Sequence, residues 1–463
     1  MVSLLLRWLA LLSVSLILVG CNEVPVDASN SDSDSSSNTD TDSDDDSTDD
    51  DDSDDDTTAT LPAGAGFIEI LPPSPTSIAL QGYATSGLAD FSKVAVRVLD
   101  FSGEPVANHT VNFELTNAVG GAELSWASQA TNASGEAHTW LSAGSVPGVT
   151  QVEFRMNIIG ATGTLLETNR HVATSQPINM STAVPVTDGI SLSTNVFNPE
   201  GYNYDGVPVT ITAHLGDMHR NPVADGTLVN FITNTGMIVG SCPTTNGTCN
   251  AVWRSAAPRF TDGRIHILAR TEGNDAFVDT NGNSRFDVGE TYTPQGEPFV
   301  DANGSDSHTA GEFFWDRDNN NSYTAANPAA VYKGYGCSDA AVTAGHCAER
   351  ADVFDSITLV NSGSIITLNP VPTAISGSQT VTYTMVDQNG NVPPVGSTLA
   401  ISCEGDVETT LFNQTVPGNP GNLFSGWQVG VTYAVDGTAT CAITVKSPNG
   451  AGAGNRYFVS VTP

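Results

Sequence analysis

Apolar and polar residues alternate in short stretches from residue 61 to the end of the chain, and a period of two is the pattern of β-strands. The alternation is clearest at residues 94–98 and 111–115. Residues 100–106, between these stretches, contain Gly and Pro in an order typical of a turn. Val, Thr, Ser, Gly, Asn and Ala dominate this part of the chain, which favours short strands over helices.

The same strand–turn–strand unit occurs three times. The other two copies lie at residues 209–213, 217–223 and 228–232, and at residues 381–385, 387–391 and 398–402. The aspartates that open the three turns, Asp100, Asp217 and Asp387, are 117 and 170 residues apart. This spacing is that of whole domains rather than of a solenoid repeat. The β-rich part of the chain, about 400 residues, therefore suits three sandwiches.

A strand, a D-x-x-G-x-P-V turn and a T-V-x-F strand resemble the group 1 bacterial Ig-like domains of invasins and intimins. Residues 131–142 look like the T-x-x-x-G-x-A strand pair of that family, and residues 246–255 repeat it more loosely. The third copy departs from the family's turn, because residues 392–395 read Val-Pro-Pro-Val. The resemblance implies an all-β chain of three tandem Ig-like β-sandwiches at the bacterial surface.

Three acidic stretches between residues 277 and 327 begin alike, with an aromatic residue two places before an aspartate. Each aspartate opens a run of acids, amides and hydroxyls, whose oxygens are ligands for a hard cation. The twelve-residue calcium loop places ligands at positions 1, 3, 5, 7, 9 and 12, and the three stretches fit this pattern. They resemble EF-hand-type loops, as in dockerins, without the flanking helices.

The predicted ligands offer carboxylate, amide, hydroxyl or main-chain carbonyl oxygens. They are Asp279, Asn281, Asn283, Arg285 (through its carbonyl), Asp287 and Glu290 in the first loop; Asp301, Asn303, Ser305, Ser307, Thr309 and Glu312 in the second; and Asp316, Asp318, Asn320, Ser322, Thr324 and Asn327 in the third. The third loop lacks the bidentate glutamate, so we expect the weakest calcium binding there unless the loops share ligands. The alternative is a polar surface loop rich in Asn and Asp turns.

The second copy is too long for one sandwich, because strand character stops after residues 263–270 and returns only at residues 353–360. We therefore expect a calcium-loop insertion at about residues 274–352, between the last two strands of the second domain. The expected domains are residues 61–183, 184–362 and 363–463.

Residues 1–20 form a predicted signal peptide, because the apolar run from Trp8 to Val19 is too short to span a membrane. Residues 18–21 resemble the lipobox of bacterial lipoproteins, which implies cleavage before Cys21 and acylation of this residue. In such lipoproteins Asn22 after the cysteine implies sorting to the outer membrane. The alternative is an ordinary signal peptide with an incidental cysteine.

Residues 21–60 are expected to form a linker after the lipidated cysteine, and they consist almost entirely of Asp, Ser and Thr. Too few apolar residues are present to bury a core, so we expect a disordered tether. Much of the formal net charge of −35 lies in this linker. Such acidity argues against nucleic acid as a partner, because phosphates would be repelled.

Six further cysteines in an exported chain predict disulfides. Fifteen pairings are open, and proximity along the chain favours Cys242–Cys249, Cys337–Cys347 and Cys403–Cys441. We expect the first pair to staple a hairpin end, the second to close the exit of the insertion and the third to bridge two sheets. A zinc site at Cys337, His346 and Cys347 is the alternative, although it lacks the usual C-x-x-C spacing.

Residues 341–347 look like the V-T-A-x-H-C segment of trypsin-like serine proteases, in which His346 would be the general base. Such catalysis also needs an activated serine and an oxyanion hole, and the G-D-S-G-G-P motif of that family is absent. We therefore predict that the protein is not an enzyme and that His346 is a surface residue beside a disulfide.

These patterns predict a lipid-anchored, calcium-stabilised, non-catalytic stalk at the cell surface that serves adhesion or surface structure. Its partners would be the membrane, through the lipid, and an extracellular protein or glycan. The alternative is a carbohydrate- or polymer-binding accessory module with exposed aromatic rows on one sandwich face; a secreted hydrolase is the third hypothesis. The candidate stacking residues are Trp126, Trp140, Trp253, Trp315 and Trp427, although the sequence favours a core or turn position for each of them.

Overall fold

The computed structural model describes residues 64–463, except residues 84–86, 161, 304, 306, 328–330, 349 and 451–453 and the side chains of residues 169 and 170. The predicted signal peptide, Cys21 and the acidic linker lie outside the described residues. Among the residues described, no helix has the length and apolar character needed to cross a membrane. Strands make up nearly all of the regular structure, which confirms the predicted all-β fold.

Domain 1 is a sandwich of two four-stranded sheets with one shared core. Its elements are β1 (Phe67–Ser74), β2 (Ser77–Ala79), β3 (Phe91–Leu99), β4 (Thr110–Leu115), a 3-10 turn (Val119–Gly121), β5 (Glu123–Leu124), β6 (Ser128–Ala130), β7 (Glu136–Ser142), β8 (Gly148–Thr150), β9 (Val152–Ile159), β10 (Leu165–Thr174) and β11 (Ile178–Ser181). The sheets have the orders β1-β3-β7-β5 and β10-β9-β4-β6, and β2, β11 and β8 form a small third sheet. Alternation explains the packing, since Val94 and Val96 of one sheet meet Phe113 and Phe154 of the other.

Domain 2 repeats the strand order of domain 1. Its elements are β12 (Ile190–Ser193), β13 (Pro208–Leu215), β14 (Leu228–Thr233), β15 (Met237–Ile238), β16 (Ser241–Pro243), β17 (Thr248–Arg254), β18 (Arg264–Gly273), β19 (Ala276–Phe277), β20 (Tyr292–Thr293), β21 (Tyr332–Lys333), α1 (Asp339–Thr343), β22 (Cys347–Ala348) and β23 (Ala351–Val360). The sheets β12-β13-β17-β15 and β23-β18-β14-β16 correspond to the two sheets of domain 1. Trp253 is fully buried in the core, and its indole N–H donates to the carbonyl of Thr235 at 2.8 Å.

The two domains differ mainly in one connection. In domain 1 only five residues separate the neighbouring strands β9 and β10, and the N–H of Gly160 donates to the carbonyl of Thr164 at 2.9 Å. In domain 2 the equivalent strands β18 and β23 pair from Arg264 with Val360 to Gly273 with Ala351. Residues 274–350, which contain the predicted calcium loops, join them. The insertion therefore takes the place of a hairpin turn and leaves the ladder between the two strands intact.

Domain 3 has one folded-over sheet in place of two separate sheets. Its strands are β24 (Thr367–Asn369), β25 (Ala374–Ser376), β26 (Gln379–Val386), β27 (Thr398–Phe412), β28 (Trp427–Lys446) and β29 (Asn455–Thr462). The first part of β28 pairs with β26, its second part pairs with β29, and β27 pairs with both parts. Because Tyr383, Val431 and Ile443 share one core, the sheet must bend over on itself.

All three expected disulfide pairs are present: Cys242–Cys249, Cys337–Cys347 and Cys403–Cys441. Cys242 lies on β16 and Cys249 on β17, and these strands belong to different sheets, so the bond joins the two sheets of domain 2 beside a tight turn. Cys403 and Cys441 lie directly opposite each other on β27 and β28. The prediction that this third pair bridges two sheets is wrong, because both strands belong to one ladder.

A turn aspartate holds the chain that enters domain 2 from domain 1. The side chain of Asp217 is fully buried. Its Oδ1 accepts hydrogen bonds from the N–H groups of His219 and Asn221 in its own turn, both at 2.9 Å. Its Oδ2 accepts from the N–H and hydroxyl of Thr182, at 3.0 and 2.8 Å, and from the N–H of Ala183 at 3.3 Å. One carboxylate therefore ties the linker to the turn.

The equivalent aspartate of domain 3 also accepts N–H groups from its own turn and from the preceding linker. Oδ1 of Asp387 accepts from the N–H groups of Asn389 and Asn391, and Oδ2 accepts from the N–H of Gly363 in the preceding linker at 2.8 Å. Burial raises the pKa of this carboxyl group, and the hydrogen bonds partly oppose that effect. In domain 1, Oδ1 of Asp100 accepts from two N–H groups of its own exposed turn.

We expect Asp217→Ala and Asp387→Ala each to lower the free energy of unfolding by roughly 2–4 kcal/mol, because several buried N–H groups lose their acceptor. Asp100→Ala is the matched control and should cost about 1 kcal/mol or less, since its turn is exposed to water. Chemical denaturation and calorimetry of residues 64–463 measure these effects. Equal effects in all three variants would show that the linker contacts contribute nothing.

Candidate metal centre

Two clusters of aromatic rings give the insertion small cores of its own. The first cluster consists of Phe277, Phe286, Tyr292 and Tyr332. The second consists of Phe299, His308, Phe314 and Tyr323. The aromatic residues that precede the three acidic runs, Phe277, Phe299 and Phe314, therefore anchor the loops. Phe299 also contacts Phe354 on β23, which connects the second cluster to the sandwich.

Loop 1, residues 279–290, is shaped by two carboxylates that accept backbone N–H groups. Asp279, at position 1, accepts from the N–H of Ser284 at 2.8 Å. Glu290, at position 12, accepts from the N–H of Thr280 at 2.7 Å and from the N–H of Asp287 at 2.9 Å. The last residue of the loop thus holds positions 2 and 9, and the loop closes on itself.

Two other predicted ligands of loop 1 converge on a carboxylate oxygen of a third. The side-chain amides of Asn281 and Asn283 donate to Oδ2 of Asp287 at 2.8 and 2.7 Å. Hydrogen bonds from Ser338 and from these two amides lower the pKa of Asp287, so it is ionised at neutral pH. Rotating each amide by half a turn presents its oxygen to a cation at this point. The guanidinium of Arg285 donates to a main-chain carbonyl outside the loop, so only the carbonyl of Arg285 is a candidate ligand.

Loop 2, which begins at residue 301 and ends at residue 312, has the same closure. Glu312 accepts from the N–H of Ala302 at 2.9 Å and from the N–H of Thr309 at 2.8 Å, again positions 2 and 9. These hydrogen bonds, chiefly the one from Thr309, lower the pKa of Glu312. Asp301 accepts from the N–H of Ser305 at 3.0 Å. The remaining predicted ligands bond within the loop, Asn303 to Thr309 and Ser305 to Ser307.

Loop 3, which begins at Asp316, obtains its glutamate from outside the loop. Glu297 lies 19 residues earlier in the chain and is almost fully buried. Its Oε1 accepts from the N–H of Arg317 at 2.7 Å, and its Oε2 accepts from the N–H of Thr324 at 2.9 Å. These are positions 2 and 9 of loop 3. Glu297 therefore takes the part that the twelfth residue has in the other loops, whereas Asn327, the predicted twelfth ligand, is exposed.

The carboxylates of loop 3 form a compact cluster. One oxygen each from Glu297, Asp316 and Asp318 lie within 4.8 Å of one another. The hydroxyl of Thr324 and the amide of Asn320 donate to Oδ2 of Asp318 at 2.9 and 2.8 Å. The hydrogen bond from Thr324 is the main cause of a lowered pKa at Asp318. Negative charges at this distance repel one another, and a cation between them would offset the repulsion.

The donor atoms of the three loops suit a hard metal ion. They are oxygens of carboxylates, amides and hydroxyls, which magnesium, calcium and manganese prefer. Ser322 completes loop 3 by donating its N–H to Oδ1 of Asn320 at 2.6 Å. Among the described residues, the cluster of Glu297, Asp316 and Asp318 could hold a metal ion, and its oxygen donors suit a hard cation such as calcium better than a soft metal.

Sequence reasoning missed Glu297, although a simple count points to it. Residues 277–327 contain three glutamates, Glu290, Glu297 and Glu312, for three loops. Two of them fall at position 12 of their own loop, which leaves Glu297 for the loop that lacks one. The contacts of Glu297 with the N–H groups of residues 317 and 324 form only when the insertion folds, so the sequence spacing does not show them.

An ion-pair network fastens loop 3 to the sandwich. Asp352 on β23 is 5% exposed and lies between two guanidinium groups. Its Oδ1 is 3.0 Å from Arg270 on β18, and its Oδ2 is 2.7 Å from Arg317 in loop 3. Arg270 also lies over the ring of Trp315, 5.2 Å from its centroid. The position of loop 3 therefore depends on contacts with β18 and β23, the two strands on either side of the insertion.

The disulfide between Cys337 and Cys347 excludes the zinc alternative. Both thiols are used in the bond, so neither is a thiolate ligand. Helix α1 lies between the two cysteines, and Ser338 caps its first turn by accepting the N–H of Ala341. The side chain of His346 is exposed after this helix.

We expect Glu297→Gln to weaken cation binding at loop 3 by at least about tenfold, because a charged bidentate ligand is replaced by a neutral amide. Calorimetric titration with calcium should then count one strong site fewer than in the unchanged protein. Asn327→Ala, which removes the ligand expected from spacing, is the control and should leave the count unchanged. A loss in the control but not in Glu297→Gln would contradict the assignment of Glu297.

A buried carboxylate lies at the base of the insertion. Asp275 is fully buried, and its Oδ2 accepts from the N–H of Lys333 at 3.0 Å. Its Oδ1 has no hydrogen-bond partner among the described residues. Burial raises the pKa of Asp275 to about 6, because the charged form loses its hydration.

Asp275→Asn should therefore stabilise the metal-free protein at pH 7 to 8. The pKa in the folded state lies above its unfolded value, so the ionised carboxyl opposes folding above about pH 6, and this cost disappears as pH falls towards about 4. The gain at neutral pH should be about 1–3 kcal/mol. Melting curves across this pH range measure it, with Asp188→Asn at an exposed position as control. A gain that does not depend on pH would argue against ionisation as its cause.

Comparison with known proteins adds little to this picture. No model of a known protein family and no curated protein matches the chain. Similar solved structures include the Escherichia coli adhesin FdeC (13% identity, TM-score 0.26, 86% of this chain and 98% of that one). They also include InvD of Yersinia pseudotuberculosis (14%, 0.26, 85% and 97%) and the D0-D1 domain of intimin (18%, 0.21, 45% and 91%). These values carry no argument about family, activity or partner.

Proposed function

We propose that the protein is a non-catalytic stalk on a bacterial outer membrane. The lipid at Cys21 anchors it, residues 22–60 hold the folded part away from the membrane, and three sandwiches form the stalk. Calcium in the insertion stiffens the second sandwich. The observation that carries the proposal is direct hydrogen bonding between consecutive sandwiches, since such bonding suits a chain that transmits force.

The joint between domains 2 and 3 supports a stiff stalk. Asn198 is fully buried, and its side-chain amide donates to the carbonyls of Pro393 at 2.8 Å and Pro417 at 3.2 Å. The hydroxyl of Tyr204 donates to the carbonyl of Asn449 at 2.7 Å. A rotation of one sandwich against the other would break these bonds and leave the buried side-chain amide of Asn198 without its acceptors.

Calcium is the metal ion that the loops suit best. The ligand spacing of loops 1 and 2 is that of a twelve-residue calcium loop, and Glu297 supplies the missing carboxylate of loop 3. When bound, calcium would neutralise the carboxylates and tie together oxygens from separate turns. The chain's own hydrogen bonds, from Glu290 and Glu312 among others, already hold the loops in a closed shape.

Adhesion or surface structure is the use that we propose for this stalk. The support is the sequence resemblance of the strand–turn–strand units to the group 1 Ig-like domains of invasins and intimins. The ligand would be an extracellular protein or glycan. Nucleic acid does not suit a chain with a formal net charge of −35.

The carbohydrate-binding alternative has less support. Trp253 is buried, the indole of Trp427 donates to a main-chain carbonyl, and Trp315 lies under an arginine. Phe91 and Trp140 lie on neighbouring strands and contact each other edge to face, with centroids 5.3 Å apart. Two rings at an interplanar angle of 80° do not form one flat platform for a sugar ring.

Millimolar calcium should raise the melting temperature of residues 64–463 by several degrees, because an ion that binds only the folded loops stabilises the fold. Asp279→Ala with Glu290→Ala should reduce the rise, since loop 1 loses positions 1 and 12. Glu404→Ala with Glu408→Ala, at exposed positions of domain 3, is the matched control and should keep the full rise. No rise, or an equal rise in the loop variant, would count against calcium bracing.

A further inference from the structure

One residue of domain 1 reaches into the insertion of domain 2. Tyr83 is fully buried, and its hydroxyl donates to the main-chain carbonyl of Ser284, 201 residues away in sequence. Gly336 leaves the necessary space, because a Cβ on this glycine would lie 2.2 Å from the tyrosine ring. Tyr335, the preceding residue, packs against the core of domain 1. The insertion is therefore part of the joint between the two domains.

Ser284, at position 6 of loop 1, is held from three sides. Its N–H donates to Oδ2 of Asp279, a predicted metal ligand, at 2.8 Å. Its Oγ lies 2.9 Å from Nε2 of His219 in the turn of domain 2, and its carbonyl accepts from Tyr83 of domain 1. Its φ of 59° is left-handed, a conformation that a serine keeps only when its surroundings impose it. The place of Ser284 thus depends on the shape of loop 1.

The linker supplies a pivot for domain 1. Asp217 holds the linker at Thr182 and Ala183, close to the turn of domain 2. A cleft of about 510 Å³ has walls at residues 75–77 and 87–89 of domain 1 and at residues 222–225 of domain 2. This space allows domain 1 to tilt about the linker once the contact between Tyr83 and loop 1 is released.

The joint between domains 2 and 3 uses other contacts. The N–H of Phe197 donates to the carbonyl of Gly418 at 2.7 Å. The side-chain amide of Asn391 donates to the carbonyl of Asp262 at 2.9 Å. None of these four residues belongs to a predicted metal loop.

From these contacts we propose that calcium in loop 1 locks the joint between domains 1 and 2, whereas the joint between domains 2 and 3 is indifferent to calcium. The inference rests on the proposed calcium binding and names the place where the ion acts. Without the ion, the negative charges of Asp279, Asp287 and Glu290 are not neutralised, so only the hydrogen bonds of loop 1 hold its shape and the loop moves more freely. Ser284 then no longer holds its carbonyl where Tyr83 requires it.

Distances between spin labels on the full chain in detergent test this proposal. Unnatural amino acids at the exposed positions Glu104, Thr210 and Glu408 place one label in each domain and leave the disulfides intact. Removing calcium should broaden the distance distribution between Glu104 and Thr210 at least about twofold. The distribution between Thr210 and Glu408 should not change. Calorimetric titration of the same samples reports whether calcium binds.

Three variants identify the loop and the contact responsible. With Asp279→Ala and Glu290→Ala together, the distance distribution between the labels at Glu104 and Thr210 should stay broad even when calcium is present. Asp301→Ala with Glu312→Ala, the matched change in loop 2, should leave it narrow. Tyr83→Phe should broaden it while the number of bound calcium ions stays the same, because only the hydroxyl contact is lost.

The outcomes separate this inference from the proposed function. If calcium binds and the first distribution has the same width with and without it, the lock is overturned while calcium binding stands. Equal broadening by the loop 1 and loop 2 variants would also overturn it, since the effect would not belong to loop 1. A titration that detects no calcium binding would overturn both proposals.

Discussion

A carboxylate that accepts backbone N–H groups from two separate places is the interaction on which this structure depends. Asp217 and Asp387 use it to join a linker to a turn, and so to fix one sandwich on the next. Glu290, Glu312 and Glu297 use it to hold positions 2 and 9 of three loops. A charged acceptor makes stronger hydrogen bonds than a neutral one, and it serves donors that a loop cannot pair by itself. The cost of this arrangement is concentrated negative charge, which the proposed calcium ions would offset in the loops.

Local patterns predicted most of this fold, whereas contacts between distant segments escaped prediction. The alternation of apolar and polar residues predicts β3 and β13, and the sequence of the turn identifies Asp217 as its first residue. Both features are set by residues that are neighbours in the chain, so a local pattern can record them. The linker that Asp217 holds lies 35 residues earlier, and Thr324 lies 27 residues after Glu297, so no local pattern records either contact. The pair Cys403–Cys441 was predicted correctly but placed between sheets, because alternation does not reveal that β28 continues unbroken for 20 residues.

The insertion also shows what can take the place of a helical frame around acidic loops. In an EF-hand, two helices hold the ends of the loop. Here the anchors are rings and one ion-pair network: Phe286 stacks on Tyr332 with centroids 4.3 Å apart, and Asp352 pairs with Arg317. The rings bury apolar surface in a segment that otherwise contains few apolar residues. The disulfide between Cys337 and Cys347 restricts the motion of the chain where it leaves the insertion. The acidic residues can then approach one another without two helices to position them.

Strand order explains why the insertion lies beside domain 1 rather than domain 3. The hairpin of β18 and β23 turns next to the linker, where the N–H of Asn274 donates to the carbonyl of Pro185 at 2.8 Å and the N–H of Thr187 donates back at 3.1 Å. The equivalent turn of domain 1 lies beside its own first residues, since the N–H of Ile159 donates to the carbonyl of Ala65 at 3.2 Å. Any segment inserted into this hairpin must therefore emerge at the end of the sandwich that meets the preceding domain. The proposed metal loops lie at that end and can act on that joint. The opposite end of the sandwich is held by direct contacts such as those of Asn198.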